Sequence, residues 1–281
     1  MIEFQYFQPS ANIRKFVGSY YETKMSTEGA DIMRAEIANI RFILSGNVYS
    51  DVNGVEECFR AGDAILCGPT FKWSHIKFTK GAHVFGAAIT PLGWSRMFDI
   101  KASELADKIE PLAEVSPDLV PGLREAIYQA VDNNQRVSAV DDLLVSLIDD
   151  VPNDYDSFLN EMTGWLTDPK RRGLEDLLEH LDLSLRQIER LCKAYFGSAP
   201  KRLHRKFRAL HAANRLAWQN LTDWRDIATM DYYDQSHFIR EFKQFNGRTP
   251  SEFIKGAHIL VRLTLQERLK IPHESPFSLV G

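Results

Sequence analysis

The hydrophobic period of the sequence changes near residue 100, and this change restricts the fold more than any other feature. Before that point, short apolar segments alternate with turn residues, and residues 71–78 alternate apolar and polar side chains almost without error, as in a strand with one buried face. From residue 103 onward, apolar residues recur every three or four positions, as in amphipathic helices. The sequence therefore predicts an α+β multidomain protein.

The N-terminal part is predicted to be a small β-barrel or sandwich. Turn signals such as Asn53-Gly54, Gly62-Asp63 and Gly68-Pro69 separate short strand-like segments. Regular spacing of such segments is typical of closed or two-layered antiparallel sheets. The predicted strands are residues 37–44, 48–52, 57–59, 64–67, 71–78 and 83–90.

Four regions follow from these patterns: a β-rich domain (1–100), a helical connector (101–169), a basic helical domain (170–256) and a C-terminal extension (257–281). The connector has no cluster of polar residues that suggests chemistry. It is suited either to packing against the β domain or to pairing with a second copy of the chain.

Composition excludes several classes of protein. Hydrophobic residues make up 44% of the chain and charged residues 26%, which is too apolar for a disordered chain. No segment approaches the roughly 20 apolar residues of a membrane-spanning helix, and the first residues lack the pattern of a secretion signal. We therefore expect a cytoplasmic protein without a membrane partner.

The net charge of −4 hides an uneven distribution. Residues 1–169 carry 14 Lys and Arg against 25 Asp and Glu, whereas residues 170–255 carry 17 against 11. A basic C-terminal region favours a nucleic-acid surface there, and the alternative is two solvated faces of opposite sign.

Residues 174–255 contain the same arrangement twice. A short helix (174–181), a turn and the cap residue Ser184 precede a helix over 185–196 that ends at Gly197. A helix near 224–230, a turn and the cap residue Asp234 precede a helix over 235–245, closed by Gly247. Two helices joined by a tight turn are the geometry that places a recognition helix in the DNA major groove.

A long helix is predicted between the two units. It begins at Pro200 and continues to Ala217, about 27 Å at 1.5 Å per residue, which suits two units on successive major-groove faces about 34 Å apart. Its basic residues are candidates for contacts to DNA phosphates, and the alternative is a solvated basic face. The phosphate candidates are Lys201, Arg202, Arg205 and Lys206.

Residues 234–243 and 245–253, with 185–190, Gly197 and Pro200 upstream, resemble the AraC/XylS family of transcriptional regulators. The resemblance implies a double helix-turn-helix domain that binds double-stranded promoter or operator DNA, a separate regulatory domain, and RNA polymerase as a partner. The base-reading positions implied are Arg186, Glu189, Arg190, Gln235, Ser236, His237 and Arg240. Arg pairs with guanine and Gln with adenine in the major groove.

The sequence departs from the family pattern at three places. Both predicted turns carry Asp, at 182 and 231, where glycine is more usual, and Cys192 replaces an aromatic residue. Residues 260–281 extend past the usual end of the family. This tail is predicted to pack either on the N-terminal domain or on a partner.

The N-terminal part more weakly resembles cupin-like sensor domains, through residues 9–11, 62–69 and 86–93. Only His75 and His83 lie there as histidine ligands, so neither a metal nor another cofactor is expected. The candidate pocket for a small-molecule effector is an interior lined by aromatic residues, and the alternative is that these residues fill the core. They are Phe42, Tyr49, Trp73 and Phe85.

The sequence shows no nucleophile elbow, zinc-protease motif or phosphate-binding glycine loop, so it indicates no enzyme. The function predicted is sequence-specific DNA binding controlled by an effector. One alternative is a regulator whose N-terminal domain binds a protein partner and no small molecule, and another is an enzyme with a cupin-type pocket. The effector, the operator and the choice between activation and repression stay open.

Overall fold

The structure is a computed structural model. It describes residues 1–148, 153–168, 175–178, 181, 183–219, 223–225, 227, 232, 234–256 and 259–270. None of the helices in these ranges has the length and apolar composition needed to span a membrane.

The N-terminal domain contains two antiparallel sheets. The six-stranded sheet has the order β1-β2-β9-β4-β7-β10, and the four-stranded sheet has the order β3-β8-β5-β6. The first consists of β1 (Ile2–Phe7), β2 (Val17–Met25), β4 (Ala38–Ser45), β7 (Ala64–Cys67), β9 (His83–Ile89) and β10 (Ile109–Pro111). The second consists of β3 (Gly29–Met33), β5 (Asn47–Ser50), β6 (Glu57–Arg60) and β8 (Ser74–Phe78). Side chains of both sheets meet in one interior, which is the small cupin-like barrel that the sequence predicts.

All six predicted strands are present, as β4 to β9, with shifted ends. Strands β1, β2, β3 and β10 were not predicted from the sequence, and β10 extends the sheet beyond the boundary predicted at residue 100. Strand β2 was missed for a physical reason: it is buried on both faces, and Ser19, Glu22 and Thr23 are among its buried residues. A strand of this kind has no alternation of apolar and polar residues.

The connector packs on the outer face of the six-stranded sheet. Helix α1 (Pro91–Met97) lies at the end of the N-terminal range, and the connector contains α2 (Leu112–Val115), α3 (Leu119–Gln129), α4 (Asn133–Leu147) and α5 (Asp156–Thr167). The hydroxyl of Tyr20 on β2 donates to Asp141 of α4 at 2.7 Å, and Asn133 Nδ2 donates to Glu22 at 2.8 Å. The connector therefore packs against the β domain, which is the first of the two roles predicted for it.

The C-terminal region is helical. It comprises α6 (Glu175–Leu178), α7 (Leu185–Phe196), α8 (Pro200–Trp218), α9 (Gln235–Asn246), α10 (Pro250–Lys255) and α11 (Ile259–Arg268). Helices α7, α8 and α9 confirm the predicted helices to within one residue. Ser184 and Asp234 cap α7 and α9 as predicted, and Gly197 and Gly247 end them in the left-handed conformation. The turn aspartates 182 and 231, most of the predicted helix 224–230, and residues 271–281 lie outside the described residues.

Three apolar cores include residues of the C-terminal helices, and one of them, between the two sheets, takes in Leu260 of α11. A continuous core joins the N-terminal domain and the connector to α7 and the first half of α8, and it includes Phe245 at the end of α9. A second core contains Phe238 and Phe242 of α9, Leu216 of α8 and Leu265 of α11. The first helix-turn-helix unit thus shares its core with the N-terminal domain, whereas the second has a core of its own.

Candidate nucleic-acid interface and ligand cavity

Helix α7 presents a polar face to solvent. Arg186, Glu189 and Arg190 are exposed, whereas Ile188 and Leu191 point into the continuous core. The α7 residues assigned to base reading therefore lie where a DNA groove could reach them.

Helix α9 presents a similar face. Gln235, Ser236 and Arg240 are exposed, and Arg240 Nε donates to the Ser236 carbonyl at 3.3 Å. His237 is half-buried, 3.5 Å from the carboxylate of Glu241 and 5.9 Å from the ring of Tyr232. Gln235, Ser236 and Arg240 are therefore accessible to DNA, whereas His237 is partly occupied by contacts within the protein.

Glu241 is a structural residue that the sequence analysis missed. Its side chain is fully buried beneath α9, and it accepts hydrogen bonds from Arg205 at 2.7 Å and from Arg208 at 2.7 Å. The two arginines are three residues apart on α8, so they lie on one side of that helix. Two features of the sequence could have indicated this ion pair: the three-residue spacing of Arg205 and Arg208, and the acidic residue on the predicted recognition helix.

The basic residues of α8 have different environments. Lys201 is exposed, Arg202 lies over the ring of Phe71 at 4.5 Å, and Arg205 is held by Glu241. Lys201 is therefore the phosphate candidate with the freest approach to solvent of these three.

The prediction that Lys206 binds phosphate is wrong. Its side chain is 1% exposed, and Nζ donates to the carbonyl of Glu36 in the N-terminal domain at 2.5 Å. Burial lowers the pKa of this amine to about 7. The helical period explains the error, because Lys206 follows Leu203 by three positions and precedes Leu210 by four, on the buried face of α8.

A cavity lies between the two sheets of the N-terminal domain. Its interior that a water molecule can reach is about 70 Å³, and the space free of protein atoms is about 940 Å³ when the mouth and the solvent beside it are included. Most of its lining is apolar. Lining residues from the sheets include Phe4, Met33, Ile43, Val48, Ile76, Phe78 and Val84.

The aromatic residues predicted to line this cavity do not line it. Strand β4 turns Asn39, Arg41 and Ile43 toward the cavity, so Phe42 points to the opposite face, into the continuous core. Successive side chains of a strand point to opposite faces. Val84 and Val48 line the cavity, so their neighbours Phe85 and Tyr49 point away from it, and Phe85 lies in the continuous core. Trp73 lies outside it too, beside Gly247.

Arginines supply positive charge to the cavity wall. Arg41 donates to the Tyr21 hydroxyl at 2.7 Å and to Glu36 at 2.6 Å. Arg34 donates to Asn214 of α8 at 2.6 Å, and burial together with the nearby Arg268 lowers its pKa to about 10. The lining also contains the carboxylate of Glu36, which Arg41 binds, so Arg34 and Arg268 leave the charged part of the lining net positive.

The cavity wall is shared with the C-terminal helices. Leu260, Val261, Thr264 and Arg268 of α11 line it together with the sheet residues. A segment of the N-terminal domain, residues 34–36, also holds the helices α8 and α9. Besides the Arg34 bond to Asn214, Ala35 N donates to the Phe245 carbonyl at 2.7 Å, and the Glu36 carbonyl accepts from Lys206.

Two capped recognition helices, joined by a 19-residue helix, lie within residues 177–256, and a family model described as a helix-turn-helix domain matches this range. This domain is an AraC-type helix-turn-helix domain. The AraC-type domain includes Arg186, Arg190, Gln235 and Arg240 on its exposed faces.

Other known proteins are similar to this chain over longer ranges. An uncharacterized HTH-type transcriptional regulator, YidL of Escherichia coli (strain K12), is 26% identical over 165 residues, covering 50% of this chain and 56% of that relative. The chain thus matches little more than half the length of this relative. Wild-type ToxT of Vibrio cholerae strain SCE256, with a bound unsaturated fatty acid, has a TM-score of 0.46 at 11% identity, over 90% of this chain and 94% of that chain. A cupin superfamily protein of Desulfitobacterium hafniense has a TM-score of 0.26 at 10% identity, over 32% and 77%.

Proposed function

We propose that this chain is a sequence-specific DNA-binding transcriptional regulator whose N-terminal cavity binds a small-molecule effector. The observation that carries the proposal is the shared wall: sheet residues and α11 enclose one cavity. A ligand in such a cavity contacts both parts of the chain. If its affinity differs between two arrangements of these parts, binding shifts the population of the arrangement that holds DNA.

On the DNA side, the exposed residues of α7 and α9 would read bases, and Lys201 would contact phosphate. We expect Arg190→Ala to weaken discrimination at particular base pairs by about 1–3 kcal/mol. Lys201→Ala should weaken binding to all sequences alike and reduce the salt slope by about one.

Gel shifts across a genomic fragment library, followed by salt titration of the preferred fragment, test this assignment. Equal behaviour of the two variants would refute the division into base-reading and phosphate-contacting residues. Binding no tighter than the non-specific level to every fragment would refute the proposed function.

On the ligand side, the cavity favours an apolar molecule with one anionic group. Its sheet walls are lined by Ile43, Ile76 and Val84, while Arg34 and Arg268 supply positive charge. An anion beside these guanidinium groups would form charge-assisted hydrogen bonds and relieve their mutual repulsion. RNA polymerase and a second copy of the chain stay predicted partners of the DNA-bound form.

Thermal-shift measurements with dodecanoate, dodecanol and dodecylamine test the ligand class, because a ligand that binds only the folded state raises the melting temperature. Dodecanoate should raise it most and dodecylamine least. Val84→Phe, which fills the cavity, should remove the response, and Val145→Phe on the exposed side of α4 should keep it. If no member of the series acts on the protein, control by a protein partner becomes the better explanation of the N-terminal domain.

A further inference from the structure

Helix α11 stands between the cavity and the second helix-turn-helix unit, and it belongs to the extension past the usual end of the family. Leu260, Thr264 and Arg268 are four residues apart, so they form one face, and all three line the cavity. Leu260 packs in a core with the sheet residues Met25 and Phe78. Arg268 Nε donates to the Tyr6 hydroxyl of β1 at 3.0 Å.

The other side of α11 belongs to the second unit. Leu265 is 1% exposed in the core that holds Phe238 and Phe242 of the recognition helix α9. Its carbonyl accepts a hydrogen bond from Trp218 Nε1, at the end of α8, at 3.0 Å. Two leucines of one short helix therefore pack in two different cores, one in each domain.

A carboxylate of the N-terminal domain fixes the start of this helix. Asp31 on β3 accepts from the Leu260 backbone N–H at 2.9 Å, in the first turn of α11, where the helix dipole favours a negative charge. Its other oxygen accepts from Arg248 at 2.8 Å. Arg248 lies between α9 and α10, so Asp31 anchors α11 and the segment after the recognition helix at once.

We propose that α11 is a coupling helix: occupancy of the cavity changes how α11 docks, and α11 passes that change to the second helix-turn-helix unit. The ligand part rests on the proposed function, and the mechanical part does not. A ligand that displaces Leu260 or draws Arg268 toward its head group moves a rigid helix whose opposite side is close-packed. Because packed interiors resist continuous deformation, the second unit must repack or shift with it.

Three leucines provide a matched test. Leu260→Ala loosens α11 from the N-terminal domain, Leu265→Ala loosens it from the second unit, and Leu269→Ala changes a side chain that is 50% exposed just after the helix. The measured quantity is the coupling factor, defined as the ratio of DNA dissociation constants with and without saturating dodecanoate. Circular dichroism and melting curves establish that each full-length variant is folded.

The expected wild-type factor lies in the range of about 5 to 150 that is typical of allosteric proteins, in either direction. Leu260→Ala and Leu265→Ala should both bring it close to one, and Leu269→Ala should leave it unchanged. Leu265→Ala should keep the dodecanoate affinity within about threefold, since this side chain does not line the cavity. A wild-type factor retained by both core variants would overturn the proposal.

Hydrogen exchange without ligand separates this inference from the proposed function. If α11 couples the domains, Leu260→Ala should speed amide exchange in α9, and Leu265→Ala should speed it in β1 and β3. In each case the faster exchange is expected in the domain against which the altered side chain does not pack. Asp31→Asn, which weakens the Arg248 ion pair without removing core packing, should speed exchange in α9 and α11. If each variant changed exchange only in the domain against which the altered side chain packs, the coupling role would be overturned, even if dodecanoate binds. Cross-domain changes without dodecanoate binding would sustain it and refute the ligand class.

Discussion

The two helix-turn-helix units differ in how they are attached to the rest of the protein. The first unit packs α7 and the start of α8 into the continuous core, and backbone bonds from Ala102 and Ser103 reach the carbonyls of α7. The second unit has a core of its own, with only Phe245 of α9 among the described residues of that helix in the continuous core. It meets the N-terminal domain largely through α11, Asp31 and residues 34–36.

This difference indicates which unit ligand binding could move. A unit built into a continuous core moves only if the N-terminal domain itself is repacked, which is costly because interiors are close-packed. A unit with its own core can shift as a body when a few polar contacts and one helix are altered. We therefore expect ligand effects to be concentrated on the part of the operator that contacts α9.

The largest effect should come from Glu241→Ala. The change removes the buried carboxylate that binds Arg205 and Arg208, whose side chains are 37% and 23% exposed and so keep access to water. Losing these charged hydrogen bonds should cost about 1.5–3 kcal/mol. We expect loss of footprint protection over the α9 half-site while the α7 half-site is retained, together with a lower melting temperature. Glu189→Ala, an exposed glutamate on α7, is the control and should change stability by about 0.5 kcal/mol or less. Loss of both half-sites in Glu241→Ala would break the comparison between the units.

The next effect concerns pH and the attachment of α8. Because burial lowers the pKa of Lys206 to about 7 from an ordinary value of 10.5, the unfolded chain holds a proton that the folded chain has released between those values. The free energy of unfolding should therefore rise with pH across this window, by at most about 1.4 kcal/mol per pH unit, and this pH dependence should vanish below pH 7.

Lys206→Met should remove this rise, seen as a difference in melting temperature from the wild type that grows between pH 7 and 9.5. Lys201→Met, at an exposed position, should show no such difference. Parallel curves for the wild type and Lys206→Met would contradict the assignment of a buried amine to this interface.

A smaller effect is expected at the glycines that end the helices. Gly197, Gly247 and Gly256 all have positive φ, where alanine costs about 1–2 kcal/mol in strain. A Cβ atom would lie 2.4 Å from Pro69 at Gly197 and 2.5 Å from Ile32 at Gly247, but no closer than 3.9 Å to any neighbour at Gly256. Gly→Ala at 197 and 247 should therefore lower the melting temperature more than at 256. Equal losses at all three would show that neither unit depends on close approach to the N-terminal domain.

The sequence predicted the helices of the AraC-type domain closely because their caps are local signals. Ser184, Asp234, Gly197 and Gly247 act through bonds and dihedral angles within a few residues. The face to which each side chain of β4 and β9 points was harder to predict. A shift of one residue along a strand moves every side chain to the opposite face.

The contacts across the domains were not predictable from local pattern. Lys206 was assigned to phosphate by its charge, yet the packing of α8 against Glu36 and Phe71 buries it. Asp31 is 217 residues from Arg248 and 229 from Leu260, so no local signal joins them. The tail beyond residue 260 was predicted to pack on the N-terminal domain or on a partner, and α11 takes the first of these two places.

The position of α11 also sets an order of events during synthesis. Every strand that lines the cavity precedes α11 in the chain, so a growing polypeptide carries an incomplete cavity until Leu260 to Arg268 have left the ribosome. Under the proposed function, an effector has no enclosed site on a nascent chain that has not reached α11, although the recognition helices α7 and α9 come before it. Ligand responsiveness would therefore be acquired after the recognition helices have been made.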